Sequence, residues 1–343
     1  MSRPQFISGL ELDARFYDDV VEPLVRPWPR AAALLGWGSD VLGVDTVRST
    51  DHGWGPRMQI FVADADVSAA RAAVDAGLPE SFGDWPIRYG WDGLPVEHRV
   101  ETVTLGTWLD GQLGVDPRAG LGPVDWLLLP QQRILGVVRG AVYADPRGEL
   151  ATLRTDLRWY PRDVWLWLLA SCWHRVAQEE AFVGRAAEVG DELGSRLIAA
   201  RLVRDLIRLC LLMEREYCPY SKWLGTAFRQ LRVYPDLAPS LDRVLSADRC
   251  EAREQELADA YELVARKHNE RGVTDAVEPE VRQFHERPFR VLSADRFADA
   301  CLARVADPTL RGLPLVGSVD QFADSSDVLS DPRRARRLDA IYR

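Results

Sequence analysis

The sequence predicts an α+β protein in two parts, an α/β domain over residues 1–145 and a mainly helical domain over 146–330, followed by a polar tail at 331–343. Three observations predict it. Apolar segments at Ala31–Leu35, Met58–Val62 and Arg99–Leu105 read as strands, with a helix at Val67–Ala76 between the last two. Beyond Pro161, apolar residues recur at three- and four-residue spacing over long stretches. The chain has 343 residues, 47% of them hydrophobic, which is material for two cores.

Taken in order, Ser8 and Glu11 have capping-box spacing, and Leu10, Phe16, Val20, Val21 and Leu24 continue a first helix to about Val25. Pro27-Trp28-Pro29 ends it. The strand at Ala31–Leu35 runs into a Gly38-Ser39 turn, whose backbone amides and Ser39 hydroxyl can reach a phosphate. Asp51 then returns a carboxylate on the next strand. A phosphate cradle beside an acid that holds a divalent cation is a way to bind and activate a nucleoside triphosphate. Between Trp108 and Tyr160 the pattern is mixed, with a short apolar segment at Val124–Leu129, and the domain boundary falls near here. The helical part opens with Trp165, Leu168, Leu169, Cys172 and Val176 on one apolar helix. A second helix runs from about Gly194 to Tyr217 on Ile198, Leu202, Leu206, Leu209 and Met213, and Pro219 stops it. A third, amphipathic, covers about Ala252–Glu270.

Gly38-Ser39, Gly43, Ser49 and Asp51 together resemble the nucleotidyltransferase superfamily, whose signature is a Gly-Ser turn followed by Asp-x-Asp on a strand. Asp51 stands at the first metal position and Gly53 replaces the second. From about Phe6 to Val328 the chain is also similar to a bacterial family, DUF4037, through the strings STDHGWGPR, EEAFVGR, GDELGSR, YCPYSKW and GSVDQF. The resemblance implies a nucleotidyltransferase-like α/β domain, a nucleoside triphosphate as substrate and Mg2+ as cofactor. It also implies metal ligation by Asp51, with Glu101 as the third carboxylate. Two-domain aminoglycoside nucleotidyltransferases take a glutamate base from the helical half, which points here to Glu180 or Glu188.

Several groups carry two readings. Glu180, Gly184, Glu188 and Glu192 share a face if one helix continues through Gly184 and Gly190, and that face is either a cleft wall or a set of ion pairs with Arg185, Arg196 and Arg201. Tyr220 and Lys222, in Tyr217–Trp223, either contact a nucleotide or form an aromatic packing corner after a helix stop. Arg57 either contacts a phosphate or pairs structurally with Asp51. His52 follows Asp51 on an extended segment and is expected on the opposite face, and Trp54 covers the cleft or fills packing space. Gly317-Ser318 reads as a turn with helix caps at Asp324 and Ser326 rather than as a second phosphate cradle.

The formal charge of −9 and a pI of about 5.2 argue against a nucleic-acid partner. Five cysteines without metal spacing read as reduced, mostly buried thiols. No apolar leader is visible in MSRPQFISGLEL, and the Val164–Trp173 run is too short to span a bilayer, so no membrane partner and a cytoplasmic location are expected. The leading expectation is transfer of a nucleotidyl group from a triphosphate to a hydroxyl or amine of a small-molecule substrate. Gly38 and Ser39 would hold phosphate, with Arg57, Tyr220 and Lys222 beside the nucleotide. The alternatives are a non-catalytic nucleotide- or metabolite-binding protein, and a repurposed fold using Glu101, Glu180, Glu188 or Lys222 for acid–base chemistry without nucleotide. The oligomeric state is left open.

Overall fold

A computed structural model describes residues 5–91 and 93–343. The chain forms two compact units from interleaved stretches. One comprises the chain to Leu121, Gln132–Arg158 and Asp327–Arg336; the other comprises Gly122–Gln131, Trp159–Ser326 and Arg337–Arg343.

In the first unit, helix α1 (Gly9–Phe16) begins where the capping box predicts, with Ser8 Oγ accepting the Glu11 amide at 3.3 Å. A π turn at Tyr17–Val21 leads into α2 (Glu22–Val25). Strand β1 (Ala31–Leu34) pairs antiparallel with β2 (Arg57–Phe61). Helix α3 (Val67–Gly77) and short strands β3 (Ser81–Phe82), β4 (Trp85–Pro86) and β5 (Arg88–Tyr89) lead to β6 (Glu97–Val103), which lies parallel to β2. After α4 (Leu105–Leu113), α5 (Pro123–Leu128) falls in the other unit; α6 (Gln131–Val138), β7 (Ala141–Ala144) and α7 (Glu149–Asp156) complete the set, and the sheet order is β5-β6-β2-β1-β7.

Strand β2 is buried along its whole length, and its alternation explains how. Met58 and Ile60 enter a core with Phe16, Val21, Val25, Val74 and Val100. A fully buried side chain of this kind contributes roughly 1.5–3 kcal/mol. Arg57, Gln59 and Phe61 alternate to the other face, where Phe61 meets Trp108 of α4 edge-on with centroids 5.6 Å apart. Gln59 Oε1 accepts the Leu35 amide at 2.8 Å, so a buried side chain ties the end of β1 to β2.

The second unit is helical: α8 (Arg162–Glu179), α9 (Phe182–Glu188), α10 (Glu192–Met213), α11 (Leu224–Phe228), α12 (Tyr234–Ser246) and α13 (Cys250–Glu270). A hairpin, β8 (Arg282–Phe284) and β9 (Arg287–Val291), precedes α14 (Asp295–Leu302), α15 (Pro308–Gly312) and α16 (Val319–Phe322). Helix α8 is anchored through its tryptophans. Trp165 donates Nε1 to the Leu212 carbonyl at 2.8 Å, and Trp173 donates to His268 Nδ1 at 3.1 Å. Burial pushes His268 down to about 4, which keeps it the neutral acceptor this bond needs.

Two expectations are corrected here. Helix α10 ends at Met213 rather than Tyr217, because Arg215 takes a left-handed φ of 59°. The single acidic face through Gly184 and Gly190 does not form: Gly190 has φ +82° and Asp191 caps a new helix by accepting the Gly194 amide at 2.7 Å. Gly184 is glycine for packing, since a Cβ there would lie 2.4 Å from the Phe289 ring. All five cysteines are free thiols, four of them buried. Among the described residues no helix is long and apolar enough to cross a membrane.

Candidate functional site

The Gly-Ser turn is built on a buried ion pair. After β1 the backbone takes positive φ at Gly36 (96°) and Gly38 (128°), and the turn closes with Gly43 N to Asp40 O at 3.0 Å and Val44 N to Ser39 O at 2.8 Å. A Cβ on Gly38 would lie 2.1 Å from Asp40 Oδ1 and 2.6 Å from Arg57 Nη2, so this position has to be glycine. Arg57 grips Asp40 with both arms of its guanidinium, Nε to Oδ2 at 2.9 Å and Nη2 to Oδ1 at 2.8 Å, and Nη2 also donates to the Trp37 carbonyl at 2.5 Å. Burial opposes the charge on Arg57, and Asp40 outweighs it, so the guanidinium stays protonated. Below the pair, Asp13 Oδ1 accepts the Arg57 amide at 2.9 Å. The other Asp13 oxygen is buried without a partner, and burial lifts that carboxyl well above the usual range. Arg57 therefore holds the turn through Asp40; its partner is not Asp51. Ser39 is half-buried, and among the described residues its side chain makes no hydrogen bond.

Asp51 does not reach the strand. It is the last residue of a 3-10 turn, Val47–Asp51, with its carboxylate exposed and 2.7 Å from His52 Nδ1. This corrects two expectations, Asp51 on a strand and His52 on the opposite face. The cause is the connection to β2: Gly53 (φ +64°), Gly55 (φ +149°) and Pro56 are incompatible with a continued ladder. Aromatic rings occupy the space at Gly53, where a Cβ would lie 3.2 Å from Trp37 and 3.5 Å from Trp91. A Cβ on Gly55 would lie 2.9 Å from Tyr89. Trp37 and Trp91 pack with centroids 5.5 Å apart, Tyr89 stacks on Trp91 at 6.0 Å, and the Arg99 guanidinium lies 4.8 Å from the Trp91 centroid. Trp37 is 52% exposed. This wall of rings was not anticipated from sequence, although Trp37 between two glycines was a readable signal. Trp54 is buried in the same unit, with Nε1 donating to Asp45 at 2.9 Å.

Glu101 lies on β6 in register with Gln59, as Arg99 does with Arg57. It is exposed, yet its carboxyl is shielded enough that desolvation raises its pKa, offset in part by Arg71. The nearest β2 positions on this face thus hold an amide and a cation. Asp51 and Glu101, expected to share a metal, are on different elements and make no contact with each other among the described residues. No group of three or more His, Cys, Asp or Glu gathers as metal ligands among those residues either. A cavity of about 340 Å³ opens at the other end of the strands, lined by Arg30, Phe61, Asp64, Thr104, Arg118 and Asp145 among others. It begins where β1 starts, whereas the Gly-Ser turn follows the end of β1.

The remaining candidates lie in the helical unit. Glu180 is buried, and its carboxylate accepts the amides of Leu292 at 2.7 Å and Ala294 at 3.1 Å; burial raises it to about 7 against those bonds. Glu188 is half exposed and pairs with Arg287 at 3.2 Å. The Tyr220 hydroxyl accepts Trp223 Nε1 at 2.6 Å, and exposed Lys222 lies 4.9 Å from the Trp223 ring centroid. Tyr217 is buried among Trp159 and Tyr160, so the start of this segment is a packing corner and its end is open.

Residues 126–224 match the family model described as Domain of unknown function (DUF4037). Over this stretch the chain is similar to DUF4037 proteins. The DUF4037 match covers α8, α9 and α10 and the Tyr217–Trp223 segment, and it begins well after the Gly-Ser turn. A solved structure of a nucleotidyltransferase-like protein from Exiguobacterium sibiricum 255-15 is 14% identical, over 88% of this chain and 91% of that one, with a TM-score of 0.35. No curated protein matches the chain.

Proposed function

We propose that this protein binds a nucleotide or a related phosphorylated metabolite at the Gly-Ser turn without metal-dependent nucleotidyl transfer. The observation that carries the reading is Gly53: its backbone has φ +64°, and the Trp37 and Trp91 rings lie 3.2 and 3.5 Å from where a side chain there would begin. In place of a second metal ligand the site has an aromatic surface, of which Trp37 is the exposed part. Exposed indole faces stack on bases, and such stacking contributes roughly 1–3 kcal/mol per base. The Ser39 hydroxyl and the turn amides supply donors for phosphate oxygens. Bound magnesium would neutralise triphosphate charge, and Asp51 and Glu101 are the acids of this unit that the resemblance offers for it. Among the described residues no group of three or more His, Cys, Asp or Glu gathers around them, so no step is derived through the metal.

A second reading keeps nucleotidyl transfer to a small-molecule hydroxyl or amine. Glu101 favours it, since its raised pKa and its place on the strand face beside Gln59 suit a proton-accepting or metal-binding role. Glu180 is a poor base under this reading, because both its oxygens are occupied by backbone amides. Incubating the protein with each common triphosphate, magnesium and a panel of aminoglycoside-type acceptors, and following pyrophosphate, separates the two. Binding without acceptor-dependent pyrophosphate release is the expected result; release that Glu101→Gln abolishes would replace the first reading by the second.

A further inference from the structure

Three guanidiniums of the helical unit converge on one turn. Arg175 of α8 donates Nη1 to the Gln321 carbonyl at 2.9 Å, and Arg208 of α10 donates Nη1 to the Asp320 carbonyl at 2.9 Å. Arg204, one helical turn before Arg208, reaches the Asp324 carboxylate at 3.2 and 3.3 Å. Like charges four apart on a helix repel, so this pairing costs stability unless something negative lies between them. Three aspartates lie close by, and two of them are turned to other partners. Asp205 is already held by Arg175 at 2.9 Å. The Asp320 carboxylate is turned to the Gln131 amide at 3.1 and 3.3 Å, and burial lifts it to about 6. Asp324 is 81% exposed, and a solvent-facing pair of that kind contributes only tenths of a kcal/mol.

The two α10 arginines also have unused donors. The Nε atoms of both Arg204 and Arg208 are buried with no partner. Both guanidiniums reach one short segment, Arg208 at Asp320 and Arg204 at Asp324, and both draw down the Cys218 thiol that burial pushes up to about 11. A planar fork with unpaired N–H groups is matched by a tetrahedral oxyanion carrying several acceptor oxygens.

We propose that Arg204 and Arg208 form a phosphate-binding site in the helical unit, with the Asp324 carboxylate as the internal group that the phosphate displaces. Inorganic phosphate and the phosphate of a monoester share this chemistry. The site involves no residue of the Gly-Ser turn and stands apart from the function proposed above.

The test is calorimetric titration of the full-length protein with pyrophosphate, inorganic phosphate and AMP in chloride buffer. Arg204→Gln should weaken pyrophosphate binding about tenfold, the loss of one charge-assisted contact pair. Asp324→Asn should tighten it severalfold by removing the competitor, which a merely structural Arg204–Asp324 pair would not do. Arg201→Gln, which breaks only the pair with Glu179 at 3.0 Å, should leave it unchanged. Phosphate and AMP affinities that Arg204→Gln lowers equally identify the free anion as sufficient, and a larger loss for AMP identifies a nucleotide source. The proposal is overturned if the wild-type protein binds none of the three, or if Arg204→Gln and Asp324→Asn both leave the affinities unchanged.

Discussion

The Gly-Ser turn and the loop at Leu292–Ala294 are each fixed by a buried acid, and they neutralise it differently. Asp40 is held by the forked guanidinium of Arg57, with side chains only 2% and 7% exposed. Among the described residues Glu180 has no cationic partner, and its oxygens accept backbone amides. The first arrangement keeps the guanidinium charged. The second leaves the carboxylate poorly compensated, and its pKa rises to about 7. The comparison teaches that Glu180, one of the acids expected for catalysis, is engaged in holding a loop as Asp40 is, while the exposed surface beside the Gly-Ser turn is aromatic.

The sharpest way to break the comparison is to remove one partner of the charged pair. Arg57→Leu leaves Asp40 buried and uncompensated and should cost about 3–5 kcal/mol, read as loss of a cooperative transition in denaturant unfolding. Glu180→Ala strands two buried amides and should cost on the order of 2 kcal/mol. The same variant tests the sign of the pH effect. The folded pKa of Glu180 lies above its ordinary 4.5, at about 7. In that window the native state binds more protons than the unfolded state, so stability falls as pH rises through it. Thermal melts between pH 4.5 and 7 should therefore show a smaller decline in Glu180→Ala than in the wild type. Gly53→Asp forces a side chain into a left-handed φ against Trp37 and Trp91, a cost of roughly 1–2 kcal/mol before any ring movement, and it should not create magnesium binding by calorimetry. Asp51→Ala is expected to change stability by less than about 0.5 kcal/mol, since its only partner is an exposed histidine.

Much of the architecture was legible because it rests on periodicity. The strands at Ala31, Met58 and Arg99 and the helices at Ser8, Val67 and Pro161 lie within a few residues of their expected positions, since burying one face imposes a period on the sequence. The site was legible only in part. Gly38 stood out because a turn there needs glycine, but the acid beneath it, Asp40, and its partnership with Arg57 depend on a contact across seventeen residues that no local pattern encodes. Asp51 misled because Gly53, which with Gly55 bends the chain away from the strand, was read as a missing carboxylate. Glu180 misled because an acid on a helix looks the same whether it faces a cleft or a neighbouring loop.

The central claim is that the turn binds its ligand through aromatic and amide groups, not through a metal held at Asp51. It is tested most directly by titrating the four common nucleoside triphosphates, with and without magnesium, into wild-type protein, Trp37→Ala and Asp51→Ala, each carrying Arg204→Gln to silence the helical-unit site. The account predicts binding that survives magnesium removal and Asp51→Ala and weakens about tenfold in Trp37→Ala, the loss of one stacked base. Binding that requires magnesium and disappears in Asp51→Ala, with Trp37→Ala unaffected, would contradict it.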